Sequence, residues 1–127
     1  MDGKIKGPGA LETTNVGTFG VAKTTLLDKR FTMAYAAGIS DDNEAYFHDD
    51  RAGSPQVHPC IAFSLQWAAR FRPDQSQDPR VASFGVHAST DLVVHRPFKS
   101  GEAITTQGQL LQMRQISPGV YLSLIHI

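Results

Sequence analysis

Asp41, Asn43, Tyr46 and His48 crowd into one short polar stretch, and His58 and Cys60 follow just ahead of a long apolar run. A carboxylate in a partly buried cleft can hold and polarise a water. Histidine exchanges a proton near neutral pH. A phenol, with a reference pKa of about 10, serves better as a hydrogen-bond donor than as a base. Cys60 as a nucleophile needs a base beside it, and His58 is close in sequence, while a helix start lowers thiol pKa values. Each group also has a plainer use. Asp41 and Asn43 suit the capping of a turn after a helix, His58 suits a cap or a satisfied loop histidine, and Cys60 suits a buried structural thiol. The five histidines and one cysteine do not fall at zinc-like spacing, so no metal site is predicted. Asp49 and Asp50 read as a solvated pair, and His87 and His95 as structural or interfacial strand residues.

These groups need elements to hold them. Asp28 offers an N-cap carboxylate, and Phe31, Ala34, Tyr35 and Gly38 recur at helical spacing, which predicts a helix over roughly 29–38. It runs into Ser40-Asp41-Asp42-Asn43, whose side chains favour turns. A second loop with Gly53, Ser54 and Pro55 precedes CIAFSLQWAARF at 60–71, the predicted long helix. Ile61, Leu65 and Ala68 form one of its stripes and Phe63, Trp67 and Phe71 another, so it should be buried nearly all round. The aromatic stripe suits a bulky tunnel or, more simply, core filling.

Strands are predicted at 18–23, 86–95, 103–113 and 120–127, with turns at Pro97 to Gly101 and at Ser117-Pro118-Gly119. The expected architecture is α+β with an antiparallel meander. Residues 1–15 read as a flexible lead-in and 16–127 as a single domain. The apolar ending YLSLIHI looks truncated, so this domain is expected to be incomplete.

Twelve basic and twelve acidic side chains cancel, leaving no general field for nucleic acid or an anionic membrane surface. An anionic ligand would need local charges, for which Arg70, Arg72, Arg96 and Lys99 are the candidates. A single cysteine excludes an intramolecular disulfide. No signal peptide or membrane span is apparent, so the expected setting is soluble and cytoplasmic.

Three ordered segments carry a family resemblance. Tyr35 to Asp49, YAAGISDDNEAYFHD, resembles the hydratase signature of MaoC-like proteins, a family that includes (R)-specific enoyl-CoA hydratases. His58-Pro59-Cys60-Ile61-Ala62-Phe63 is similar to the opening of that family's central helix. His87 to Glu102 looks like its next strand and Pro-basic-x-Gly-acidic turn. The resemblance spans about residues 18–124.

The resemblance implies a hotdog fold, an antiparallel sheet wrapped around the helix at about 60–71. It implies an enoyl- or 3-hydroxyacyl-CoA thioester as substrate and no further cofactor. The family's Asp and His place and deprotonate a water, and here Asp41 and Asn43 match while Tyr46 stands in the histidine position. His48, two residues on, is the remaining histidine of the segment, although such a shift turns it to another face. Enolate stabilisation would come from the backbone N–H groups of Cys60 or Ile61, aided by the helix dipole. Pro59 stands where catalytic halves carry glycine. His58, Cys60, Ile61, Phe63 and Trp67 would contact the substrate.

The leading expectation is the substrate-binding, N-terminal half of a double hotdog, with weak or no activity alone. Alternatives are an active (R)-specific enoyl-CoA hydratase using Asp41, and a hotdog acyl-CoA thioesterase. A second hotdog domain or a homodimer partner should close the open sheet edge.

Overall fold

A computed structural model describes residues 4–5, 11–12, 16–52, 55–69, 86–116 and 119–126. The chain is α+β. Its elements are β1 (Lys4–Ile5), β2 (Leu11–Glu12), β3 (Lys23–Leu26), α1 (Lys29–Gly38), α2 (Ala62–Ala68), β4 (Ala103–Thr106), β5 (Gly108–Ile116) and β6 (Gly119–His126). Short 3-10 turns at Glu44–Tyr46 and Pro59–Ile61 complete them. Among the described residues the strands form three antiparallel pairs, β1 with β2, β3 with β4 and β5 with β6, instead of the expected meander. The predicted lead-in thus contains the β1–β2 pair, in the register Lys4 to Glu12.

The chain divides into two compact units. One comprises Met1–Ala22, Ala69–Thr90 and Gln107–Ile127; the other comprises Lys23–Ala68 and Asp91–Thr106.

In the second unit, α1 begins as its sequence predicts. Asp28 is extended, and its carboxylate accepts the Phe31 N–H at 2.7 Å, satisfying an amide that has no partner within the helix. The covered face differs from the predicted stripe. Thr32 and Ala36 are buried and Phe31 and Tyr35 partly so, whereas Ala34 and Gly38 are exposed. Thr32 tolerates burial because its hydroxyl donates to the Lys29 carbonyl at 3.1 Å. The core of this unit is Leu27, Val57, Ile61 and Leu65, with Phe31, Tyr35, Phe98 and Ile104 packed against it.

The predicted 60–71 helix is shorter than expected. It opens as a 3-10 turn, continues as α2 and reaches a turn at Ala69, while Arg70 and Phe71 lie outside the described residues. Ile61 and Leu65 are buried, but Trp67 is 53% exposed and Ala68 is exposed too. The helix therefore buries one stripe, and core filling does not hold for Trp67.

Two strand expectations are also corrected. In place of 18–23, the strand is Lys23–Leu26, paired in register with Thr106 to Ala103. Thr24 and Thr105, directly opposite each other, bond through their hydroxyls at 2.8 Å. Residues 86–95 form no strand among the described residues and are exposed throughout. Their β-branched composition favours extension, but a strand also needs a ladder of backbone partners. At 96–102 the expected turn is present. Gly101 has φ +83°, and the turn returns two backbone bonds to Leu27, Gly101 N–H to the Leu27 carbonyl and Leu27 N–H to the Glu102 carbonyl.

In the first unit, β5 and β6 pair from Gly108–His126 to Ile116–Gly119, with a register shift between Leu110 and Gln112. The predicted single strand over 103–113 is split at Gln107, where β4 ends and β5 begins. Beside β5, Phe19 forms an isolated bridge with Gln109. Gly17 and Gly20 donate to the Leu110 and Gly108 carbonyls, both at 2.7 Å. Gly17, just before the predicted strand, sits at φ +86°, outside regular strand geometry, and Phe19 makes only a bridge where the pattern predicts a strand.

Candidate functional site

Helix α1 ends in a Schellman arrangement that delivers Asp41. The Ser40 N–H donates to the Ala37 carbonyl and the Asp41 N–H to the Ala36 carbonyl, each at 3.0 Å, while Ser40 adopts φ 58°. That left-handed residue turns the chain sharply. From there one side chain sets the next. The Asp41 Oδ1 accepts the Asn43 N–H at 3.1 Å, and the Asn43 Oδ1 accepts the Ala45 N–H at 3.0 Å. Asn43 in this way caps the 3-10 turn that carries Tyr46. The capping role expected for Asp41 and Asn43 is present in full.

His58 supplies the imidazole of this site. Its Nε2 lies 3.4 Å from the Asp41 Oδ2, with the two side chains only 15% and 35% exposed. Its Nδ1 accepts the Cys60 N–H at 3.1 Å, making His58 the N-cap of the turn before α2. Because Nδ1 acts as acceptor, the neutral ring carries its proton on Nε2, the atom facing Asp41. Two aromatic rings flank it, Tyr46 at 5.1 Å and Tyr35 at 6.0 Å between centroids, both tilted. The Tyr35 hydroxyl donates to the Cys60 carbonyl at 2.6 Å. Burial raises the Tyr35 phenol above its ordinary pKa, and the charge of an ionised Cys60 would raise it further.

The segment from Asp41 to His48 thus brings Asp41 and Tyr46 to His58, with Asn43 bonded to Asp41, but sends His48 elsewhere. The His48 Nε2 is 3.4 Å from the Glu44 Oε2, its side chain 61% exposed. It lines a hollow with Glu44, Ala45, Arg51 and Gln56. Asp41 lines a different, open hollow with Ala37, Ser40, Asp42 and Phe47. The turn of face expected from a two-residue shift is what separates them.

The proposed enolate donors are not free. The Cys60 N–H is taken by the His58 ring, and the Ile61 N–H donates to the His58 carbonyl at 3.0 Å. Pro59 has no N–H, and the next two amides are consumed within the same turn. Ile61 is fully buried in the core, and its side chain is accordingly a packing residue. Cys60 and Phe63 are partly covered, and Trp67 is half exposed.

Among the candidate phosphate-binding cations, Arg96 is engaged by both Glu102 carboxylate oxygens, and Glu102 also accepts the Lys99 N–H at 3.1 Å. This fork of two charge-assisted bonds raises the pKa of Arg96 and lowers that of Glu102. Arg70 and Arg72 lie outside the described residues.

Chemically, the site offers a carboxylate with one oxygen fixed by a backbone N–H and the other 3.4 Å from an imidazole nitrogen, at the rim of an open hollow. Such a carboxylate can accept a proton from a bound water. Among the described residues, no group of three or more His, Cys, Asp or Glu side chains is placed to hold a metal ion, and no helix is long and apolar enough to cross a membrane. No protein-family model matches the chain, and no curated protein matches it.

Proposed function

We propose that the chain is a MaoC-like hydratase/dehydratase-family domain that binds an enoyl- or 3-hydroxyacyl-CoA thioester and hydrates or dehydrates it weakly on its own, through Asp41. The observation that carries this reading is the approach of the His58 Nε2 to the Asp41 Oδ2 at 3.4 Å beside an open hollow. The α+β order and the family-like segments support a hotdog arrangement around the 59–68 helix, completed by a second hotdog domain or a second copy. Low activity follows from the same geometry. Tyr46 replaces the expected histidine, and the amides of Cys60 and Ile61 are committed inside their own turn.

A second reading, a purely substrate-binding half, is favoured by the use of Asp41 and Asn43 as capping side chains. Crotonyl-CoA separates the two. Loss of enoyl absorbance faster than in buffer, removed by Asp41→Asn, supports weak catalysis. Calorimetric binding without turnover supports the binding half, and the absence of binding refutes both. Release of free coenzyme A thiol with the enoyl group intact would instead identify a thioesterase.

A further inference from the structure

We propose that His58 is the positioning residue of this site, taking from a neighbouring loop the place that Tyr46 leaves without an imidazole. The inference rests on the reading that Asp41 acts on an acyl thioester. It adds how the carboxylate is aimed and by which residue.

Three constraints fix the ring. The Cys60 N–H holds Nδ1 at 3.1 Å, so a flip of the imidazole would bring a carbon to that amide and leave it unpaired. Tyr35 and Tyr46 flank the ring, and Tyr35 anchors the same turn through the Cys60 carbonyl. The remaining nitrogen, Nε2, lies 3.4 Å from the Asp41 Oδ2. The Asp41 Oδ1 is held separately by the Asn43 N–H. A carboxylate bonded at Oδ1 and approached at Oδ2 still has a lone pair free on each, because each carboxylate oxygen offers about two acceptor sites.

In hydration the water oxygen forms the bond to the β-carbon while a water proton passes to Asp41. The alkene π pair shifts toward the thioester oxygen. As the resulting enolate collapses, Asp41 returns the proton to the α-carbon, so the carboxylate is regenerated and no net proton is consumed. His58 touches none of the reacting atoms. It acts by holding the Asp41 oxygen in one orientation through the step.

His58 has two separable duties, a cap through Nδ1 and a tether through Nε2, and two amide side chains separate them. His58→Asn places an acceptor near Nδ1 and preserves the cap, asparagine being a favoured N-cap residue, but it does not reach Asp41. His58→Gln extends an N–H donor toward Asp41 and gives up the cap. In crotonyl-CoA hydration by the full chain, His58→Asn is expected to lower kcat about tenfold or more, with KM changed by less than about twofold and Tm close to wild type. His58→Gln is expected to lower Tm yet keep kcat within about threefold of wild type.

If kcat instead follows Tm across the two variants, or survives in both, His58 is a structural cap only and the proposal is overturned. Binding of crotonyl-CoA without turnover by the unmodified chain also overturns it, while leaving a binding domain standing. No binding at all removes the thioester reading beneath it.

Discussion

The Tyr35 hydroxyl and the Cys60 carbonyl meet at 2.6 Å, so the last turn of α1 is tied to the turn that opens α2. The bond spans 25 residues and joins the two segments that present Asp41 and His58. Its donor is a phenol whose pKa is raised, chiefly by burial.

Tyr35→Phe removes that bond and leaves the Cys60 carbonyl without its donor. The expected loss of stability is about 1 kcal/mol near neutral pH. The sign of its pH dependence follows from the raised folded-state value. The stabilisation is fully present below the unfolded phenol's value, about 10, and is lost as pH rises through the higher folded value. Denaturation of both proteins at neutral and alkaline pH should show the gap between them narrowing in alkali. A gap that stays constant into strong alkali would refute this account.

Ser40 occupies the left-handed region at φ 58°, where a Cβ is disfavoured, while Gly38 lies within the helix two residues earlier. Ser40→Gly relieves the strain at some cost in unfolded-chain entropy, and a net gain of about 0.5–1 kcal/mol is expected. The Asp41 amide bond to Ala36 should be retained. Chemical denaturation measures the gain, and hydrogen exchange at the Asp41 amide reports the geometry. Destabilisation would show that the Ser40 hydroxyl matters more than its backbone.

The Arg96–Glu102 fork closes the 96–102 turn, and the bond from Arg96 is the main cause of the lowered Glu102 pKa. A depressed folded value means that the stabilisation is present above the ordinary carboxylate range and disappears as pH falls through the folded value. Glu102→Gln should therefore lower Tm near pH 7, with the difference from wild type shrinking below about pH 4. Thermal melts of both proteins at both pH values check it. A difference that persists in strong acid would mean that packing, not charge, holds the turn.

Local chemistry made much of this molecule legible in the sequence. Asp28 before an apolar-periodic segment sufficed to start α1 at Lys29, because a capping carboxylate and its target amide are three residues apart. The turn at 96–102 was visible from Pro97 and Gly101 for a similar reason. The capping uses of Asp41, Asn43 and His58 were readable as well, since each bond spans two residues.

Non-local partners were not legible. An apolar, β-branched run cannot announce a missing ladder: Leu92, Val93 and Val94 favour a strand by composition, yet pairing depends on where other backbone lies. The stripe containing Trp67 is apolar by sequence, but only the packing of Leu27, Val57 and Leu65 determined which side of α2 became core.

For the site, the sequence by itself determined the residues and the short turns that aim them, Asp41 by the end of α1 and His58 by the cap on Cys60. Tertiary structure alone decided that these two side chains meet, and that His48 does not join them. The reason is reach. A cap is set by the geometry of neighbouring peptide units, whereas the 3.4 Å approach between Asp41 and His58 depends on how the two turns pack around Tyr35 and Tyr46.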